Sequence, residues 1–459
     1  MTQTTIRDFT GEVVLPGDST FDGHRSVWNA MVDRRPAVIA RCESATDVAA
    51  ALAFGRAEGL EIGVKGGGHG VVGHCVPDGG LMIDLAPMGS VEVDREAKRA
   101  RVGGGALLGS LDRATEPYGL ATTAGNVSHT GVGGLTLGGG MGWLARQFGL
   151  ACDNVASFSV VTAGGEILVA SEDEHPDLFW ALRGGGGNFG IVTDFEFRLH
   201  PISGRALVSE LIFEPGQAKD PMRRWRELLA DAPRPATLTA DIWNAPATAD
   251  LPPTLVGRPL VLIGFTWVGE MDEARSYHAT FLEAIGRPSL ERAQEMSYTE
   301  LQSQGDAAHV HGTRRYASGH DLIELSDDAI DAFLSRGADD GADPRMLPIS
   351  GFQGYGGAIA DVPDDASAFS QRDTLVEWFA GQGWTDPAED GARIAAARAA
   401  GAAMEPFASG VYVNALGDEG ESGVRRAYRP EKLARLRELK RRYDPDNVLH
   451  LNQNIRPED

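Results

Sequence analysis

Cysteine is scarce in this chain: Cys42, Cys75 and Cys152 are the three among 459 residues. An odd count with no close pair argues against a disulfide framework and fits a reducing cytoplasm. Long apolar runs are missing as well. No stretch approaches ~18 uninterrupted apolar residues, so no membrane span is expected. The opening MTQTTIRDFTGEVVLPGD has no charged segment followed by an apolar run, so no secretory leader is expected. Basic blocks are absent too. Lys and Arg number 42 against 65 Asp and Glu, a net charge of −23. Such a surface repels nucleic acid and anionic membranes. What these absences leave is a small-molecule partner; the choice between monomer and homodimer stays open.

Glycine is the opposite case, with 58 residues against an average near ~7%. It gathers in KGGGHG (65–70), VGGGALLG (102–109), GVGGLTLGGGMG (131–142) and RGGGGNFG (183–190). Glycine permits positive φ and close backbone approach to a ligand, and runs of N–H groups form anion-binding concavities. Four clusters in one region point to a large phosphate-bearing cofactor. Between them LMIDL, FSVVTA and EILVA predict strands. The segments 44–59, 105–119 and 175–184 carry helical spacing, with Ser44 and Thr46 as N-cap candidates. The alternation predicts an α+β lobe.

Length alone favours more than one lobe. After about His200 the glycines thin out. Aromatic strands such as LIGFTW (262–267) appear, with helices predicted over 327–337 and 370–383. GVYVNAL (410–416) is predicted as a strand, and 429–444 as a helix with Pro430 in its first turn. The expected organisation is a cofactor domain over 1–204, a substrate domain over 205–404 and a returning segment over 405–459.

Two stretches formally match the dinucleotide fingerprint G-x-G-x-x-G, at Gly68–Gly73 and Gly185–Gly190. The fingerprint needs a helix opening within it. HCVPDGG follows the first and the strand-like IVTDFEF follows the second, so both fail in context. A nicotinamide-binding Rossmann fold is therefore disfavoured.

VKGGGHGVVGHCVPDGGLMIDL, TTAGNVSHTGVGGLTLGGGMGWLARQFGL, DLFWALRGGGGNFGIVTDFEFRLHP and YDPDNVLHLNQNI together resemble the vanillyl-alcohol-oxidase superfamily. More narrowly, they resemble its berberine-bridge-enzyme-like branch of covalent flavoproteins, and its bacterial members. The likeness runs over about 35–205 and 405–455, and in between rests on YGGAIADVP (355–363). It implies a two-lobed PCMH-type FAD-binding domain built from two α+β subdomains. To this it adds a substrate domain in which helices cover an antiparallel sheet.

The resemblance also implies the site. His69 would bond to the 8α-methyl of FAD, within Val64, Lys65, Gly66, Gly67, Gly68 and Gly70. Gly125, Asn126, Val127, His129, Thr130, Gly133, Gly134 and Leu135 would run along the cofactor. Gly138, Gly139, Gly140 and Trp143 would continue that wall. Gly190, Ile191 and Val192 would add backbone contacts, and Asn452 and Asn454 would close over the flavin. Many relatives carry a second, cysteinyl tether in A-G-x-C-x-x-x-G-V-G-G. Val127 stands at that cysteine, so a single tether through His69 is expected. His74 and Cys75 are expected to be structural.

For the reaction, the resemblance puts Tyr412 and Asn414, and Gln353 and Tyr355, beneath the flavin. Sugar- and phenol-oxidising relatives often add a tyrosine base in Y-x-N-Y, where this chain has Ala415. Asp361 falls roughly where plant alkaloid enzymes hold a glutamate base. Removing a hydroxyl proton favours a positioned base, whereas a neutral amine needs none. Together with the likeness to amine-oxidising bacterial members, this favours an amine or secondary-metabolite substrate. The expected activity is an FAD-linked oxidase passing electrons to O2. The alternatives are an FAD-dependent dehydrogenase, an oligosaccharide oxidase, or a flavin-binding protein without turnover.

Overall fold

Short, almost wholly apolar strands begin the fold. Val38–Arg41, Leu81–Asp84 and Ile62–Lys65 pair in parallel, with Glu12–Val14 antiparallel on the outer edge. Leu81, Met82 and Ile83 are completely buried, as a parallel strand covered on both faces requires. The helix Ala45–Ala57 connects Val38–Arg41 to Ile62–Lys65. Ser44 caps it, its hydroxyl accepting from Asp47 N at 3.1 Å. The computed structural model describes residues 5–247, 251–337 and 346–458.

A second sheet of five strands follows, all antiparallel, in the order Val91–Asp94, Arg99–Gly103, Ile191–Arg198, Val155–Val161, Ile167–Ser171. Period-two alternation in IVTDFEFR sends Phe195 and Phe197 inward. Phe195 meets Phe158 edge-on at 5.5 Å between centroids, a favoured aromatic geometry. The helix Pro176–Leu182 adds Phe179 and Trp180 to the same core.

Residues from Arg205 to Trp384 supply every strand of a seven-stranded antiparallel sheet. Its order is Leu290–Ser297, Arg205–Phe213, Pro259–Val268, Ala236–Asn244, Ile349–Gly354, Val376–Trp384, Arg314–Leu322. The helices Lys219–Leu229, Met271–Ile285, Asp327–Ser335 and Asp390–Met404 lie against it. They bury Trp225, Phe281 and Phe333 on Phe265, Phe352 and Trp378. Truncating such a side chain to alanine costs ~3–5 kcal/mol. Part of the opposite face docks on the first lobe. Gln147 Nε2 donates to Val268 O at 2.9 Å, and Ser128 donates from its N and Oγ to Asp306 at 2.9 and 2.6 Å.

Two expectations about elements are corrected. The stretch 370–383 was expected to be helical, but Val376–Trp384 is a strand. Val376, Trp378 and Ala380 are buried at every second position, which is a strand period. GVYVNAL makes a single bridge, Gly410 to Asp321, and then one 3₁₀ turn over Val413–Ala415.

The chain returns to the first lobe through the helix Pro430–Tyr443. Lys440 anchors it. Its Nζ donates to Asp444 Oδ2 at 2.7 Å, Asn188 O at 2.9 Å and Leu449 O at 3.0 Å, and both charged side chains are fully buried. All three ammonium donors are thereby satisfied. Among the described residues no helix is long and apolar enough to cross a membrane.

Candidate functional site

The parallel strand Ile62–Lys65 runs straight into Gly66-Gly67-Gly68-His69-Gly70. Ligands of open α/β sheets gather at this carboxyl end of the strands. Gly68 sits at φ +66°, a conformation that favours glycine. A Cβ on Gly67 would come 2.3 Å from Gly131 N, and one on Gly131 would come 2.4 Å from Gly67 N. Two glycine-rich loops thus meet backbone to backbone. Beside them opens a cavity of about 450 Å³, within the ~300–1,000 Å³ of cofactor and ligand pockets.

His69 lies on the wall of this cavity. Its ring stacks on Trp28 at 4.3 Å between centroids, with an interplanar angle of 16°. Arg315 lies over Trp28 in turn, at 4.4 Å. His69 Nε2 and His129 Nδ1 are 2.9 Å apart and share one proton. Burial pushes the His69 ring down to about 3, and Arg315 and the nearby imidazoles of His129, His311 and His309 act in the same direction. The imidazole is therefore neutral at physiological pH and keeps a lone pair for bond formation.

Of the other expected cofactor residues, Val64, Gly66, Gly67, Gly68 and Gly70 line the cavity. So do Thr130, Gly133, Gly134 and Leu135, together with Gly190, Ile191, Val192 and Asn452. Tyr412 and Asn414 line it as well. They reach one another across the turn rather than along a strand. Asn414 Nδ2 donates to Tyr412 Oη at 2.7 Å, and Gly140 N donates to the same oxygen at 2.8 Å. Burial first, and Glu377 second, push the Tyr412 phenol up, so it stays protonated.

Several expected residues stand off the wall. Lys65 Nζ turns away to His24 O at 2.6 Å. Trp143 packs among Leu144, Val268 and Met296. Gly125, Gly138, Gly139, Gly140, Val127, His129 and Asn454 form no part of the cavity lining. Other residues reach the wall from outside the expected cofactor set. His74 and Cys75, expected to be structural, lie on the wall with Asn188, Tyr428 and Gln453. Burial depresses the His74 ring and raises the Cys75 thiol.

The seven-stranded sheet brings polar groups to the side away from its helices. Gln353 stands opposite Glu377, and Glu377 opposite Asp321, across three neighbouring strands. Asn126 Nδ2 donates to Gln353 Oε1 at 3.4 Å. Asn126 Oδ1 and Gln353 Nε2 are buried without a partner, leaving one acceptor and one donor for a ligand. Tyr355, just past its strand, donates its hydroxyl to Glu377 Oε2 at 2.9 Å. Burial pushes the Glu377 carboxyl up, against the Tyr355 hydrogen bond.

Asp361 needs correction. It ends the short helix Ala358–Asp361, exposed, with Arg234 Nη2 on its Oδ2 at 2.6 Å. The buried carboxyl beside Tyr355 is Glu377. It escaped notice because its strand was expected to be a helix. The signal was there: V-E-W-F-A alternates large apolar residues around the glutamate.

The donor set fits a large flavin-type cofactor. A glycine cradle admits close backbone approach, a neutral imidazole stands at its wall, and Asn452 Oδ1 is a buried acceptor without a partner. Comparison with known proteins points the same way. The family described as FAD binding domain matches residues 36–171, and the one described as berberine and berberine like matches residues 411–456. (R)-6-Hydroxynicotine oxidase of Paenarthrobacter nicotinovorans is 32% identical over 462 residues, covering 98% of this chain and 97% of that protein. An uncharacterized FAD-linked oxidoreductase of Bacillus subtilis is 30% identical over 458 residues, covering 98% and 97%. Among solved structures, 6-hydroxy-D-nicotine oxidase from Arthrobacter nicotinovorans superposes with a TM-score of 0.84 at 28% identity, over 98% of this chain and 99% of that one. Glucooligosaccharide oxidase from Acremonium strictum gives 0.83 at 26% identity, over 95% of each chain.

Proposed function

This chain belongs to the berberine-like FAD-linked oxidoreductases, and on that premise we propose that it is an oxidase holding FAD by one bond to His69 and oxidising a small amine. The observation that carries the reading is His69 itself. A glycine loop sets it on the cavity wall, stacked on Trp28 and held neutral. A neutral ring nitrogen can form a bond to carbon; a protonated one cannot. Val127 offers no thiol, so the attachment is single.

FAD, when bound, supplies the two-electron acceptor that takes hydride from the substrate and returns to its oxidised form with O2. The protein's own groups bind, orient and manage protons. Asn126 and Gln353 present the free acceptor and donor that fix a substrate amine or hydroxyl. Glu377, steadied by the Tyr355 hydroxyl, accepts the proton that an ammonium sheds on becoming a neutral amine. Asn414 and Gly140 hold Tyr412 at the wall, where it closes the site against water.

The absence of a tyrosine at Ala415 favours an amine over a sugar. A sugar oxidase must strip a hydroxyl proton, and the fourth position of Y-x-N-Y is here a methyl group lying against Gly319. The three free thiols agree with a cytoplasmic setting, and we take the substrate domain to span 205–404.

The test is direct. Acid-precipitated protein is expected to stay yellow, and a screen of amines, alcohols and oligosaccharides is expected to release hydrogen peroxide with an amine. Colourless precipitate would remove the tether. Reduction of the flavin without peroxide would make the protein a dehydrogenase. Peroxide from oligosaccharides alone would overturn the amine assignment.

A further inference from the structure

Glu377 does not stand alone. Asp321, on the strand Arg314–Leu322, is directly opposite it in an antiparallel pair. Directly opposed residues share a face, with Cβ atoms ~4.5–5.5 Å apart. Asp321 is completely buried, and neither of its carboxyl oxygens has a hydrogen-bond partner. Its backbone is pinned: Asp321 N donates to Gly410 O at 2.9 Å, and Ser409 N and Oγ donate to Asp321 O. The side chain therefore cannot swing out to water to find a donor.

The surrounding groups give it no counter-ion. Arg426 is a cation whose charge reaches it, but the guanidinium hydrogen bonds go to Glu419, Gly319 O and His320 Nδ1. Tyr355 donates to Glu377 instead, and Tyr412 is held by Gly140 and Asn414. Asp373, the other acid whose charge reaches this site, is taken by Arg429 at 2.7 Å. A buried carboxylate with no donor is costly, and two like charges at this spacing do not both ionise. Among the described groups around Asp321, Glu377 is the one placed to hold a proton in common with it.

Resting on the proposed oxidase reading, we propose that Asp321 and Glu377 form an acid pair that holds one proton in the resting protein, with Asp321 a positioning residue that sets the basicity of Glu377. During turnover the pair accepts a second proton. The N–H bond of the substrate ammonium breaks, its electron pair stays on nitrogen, and the proton makes Glu377 a carboxylic acid. Hydride leaves the adjacent carbon for FAD, and the proton later returns to solvent. Burial pushes both carboxyls above the ordinary range, and the neighbouring Glu377 charge raises Asp321 further. The pair titrates as a unit, with apparent values belonging to both residues.

Asp321→Asn tests this. The amide keeps the shape and removes the like charge. The acid limb of the kcat/KM pH profile is expected to move down by at least ~1 pH unit, with kcat lowered and KM and flavin content unchanged. Asp321→Glu is expected to restore the parent limb in part. A profile for Asp321→Asn that superimposes on the parent overturns the pair. Infrared difference spectra across a pH jump give a second readout that needs no substrate. The parent is expected to show protonated-carboxyl absorption persisting above the ordinary carboxylate range, and the part of it that belongs to the pair is expected to shift to lower pH in both Asp321→Asn and Glu377→Gln. If one variant fails to fold, the other decides: a spectrum that superimposes on the parent's refutes the proposal. A parent that makes no peroxide from any amine yet shows the band refutes the substrate reading and leaves the pair standing.

Discussion

The two ends of the site solve the same problem in opposite chemical directions. At the imidazole end, His69, His309 and His311 are depressed, with burial the leading cause. At the carboxyl end, Asp321 and Glu377 are raised, and burial again leads. Both ends thus disfavour charge in a chain whose net charge is −23. Low local dielectric penalises whichever form is charged, so on the proposed reading one physical cause would serve a nucleophile at one end and a proton acceptor at the other. The ends differ in construction. The first is a contiguous loop, and the second is single side chains drawn from three strands.

Removing the imidazole is expected to have the largest effect. In His69→Ala all flavin should become extractable by acid, while non-covalent FAD can still occupy the glycine cradle; absorbance of the supernatant after precipitation measures it. Survival of the tether would break the comparison at that end. Glu377→Gln strikes the other end. It should leave flavin attachment intact and lower kcat/KM by ~10²–10⁴-fold, read from initial rates of peroxide release. Loss of flavin in that variant would show the ends to be one unit.

Lys440→Met probes the frame behind the imidazole end. It strands the buried Asp444 carboxylate, and breaking such a pair costs ~3–5 kcal/mol, measurable as a fall in the urea midpoint. The smallest effect is expected at the seam between lobes. Asp112 is buried beside Gln302, and burial pushes its carboxyl up to about 7. The folded protein keeps a proton there that the unfolded chain releases above ~4, so stability drawn from this group falls as pH rises from ~4 through 7. Asp112→Asn should accordingly be more stable than the parent at pH 8 and little changed at pH 4. Equal differences at both pH values would mean that Asp112 is ionised in the fold.

The two ends also differ in how far they can be read in advance. KGGGHG and AGNVSHTGVGG are contiguous, and there the backbone does the binding, so residue type and spacing carry the information directly. Most residues expected in the GGGHG loop do line the cavity. The carboxyl end depends on strand register, which no local pattern specifies without knowing which face is buried. Expecting a helix at 370–383 therefore hid Glu377, and Asp361 was put forward in its place. Nothing near Asp321 in sequence marks it as Glu377's partner, 56 positions away. His74 was missed for a different reason: loop paths after Gly70 follow tertiary packing, not spacing.

The returning segment has a consequence for biosynthesis. Tyr412, Asn414, Leu449, Asn452 and Gln453 complete the cavity wall, and Asn188 is clasped by Gln453 O and Ile455 N. The glycine loops leave the ribosome hundreds of residues earlier than this clasp. A nascent chain therefore has no closed chamber until these residues have been made. If the cavity is the cofactor's chamber, as proposed, its closure waits on the returning segment.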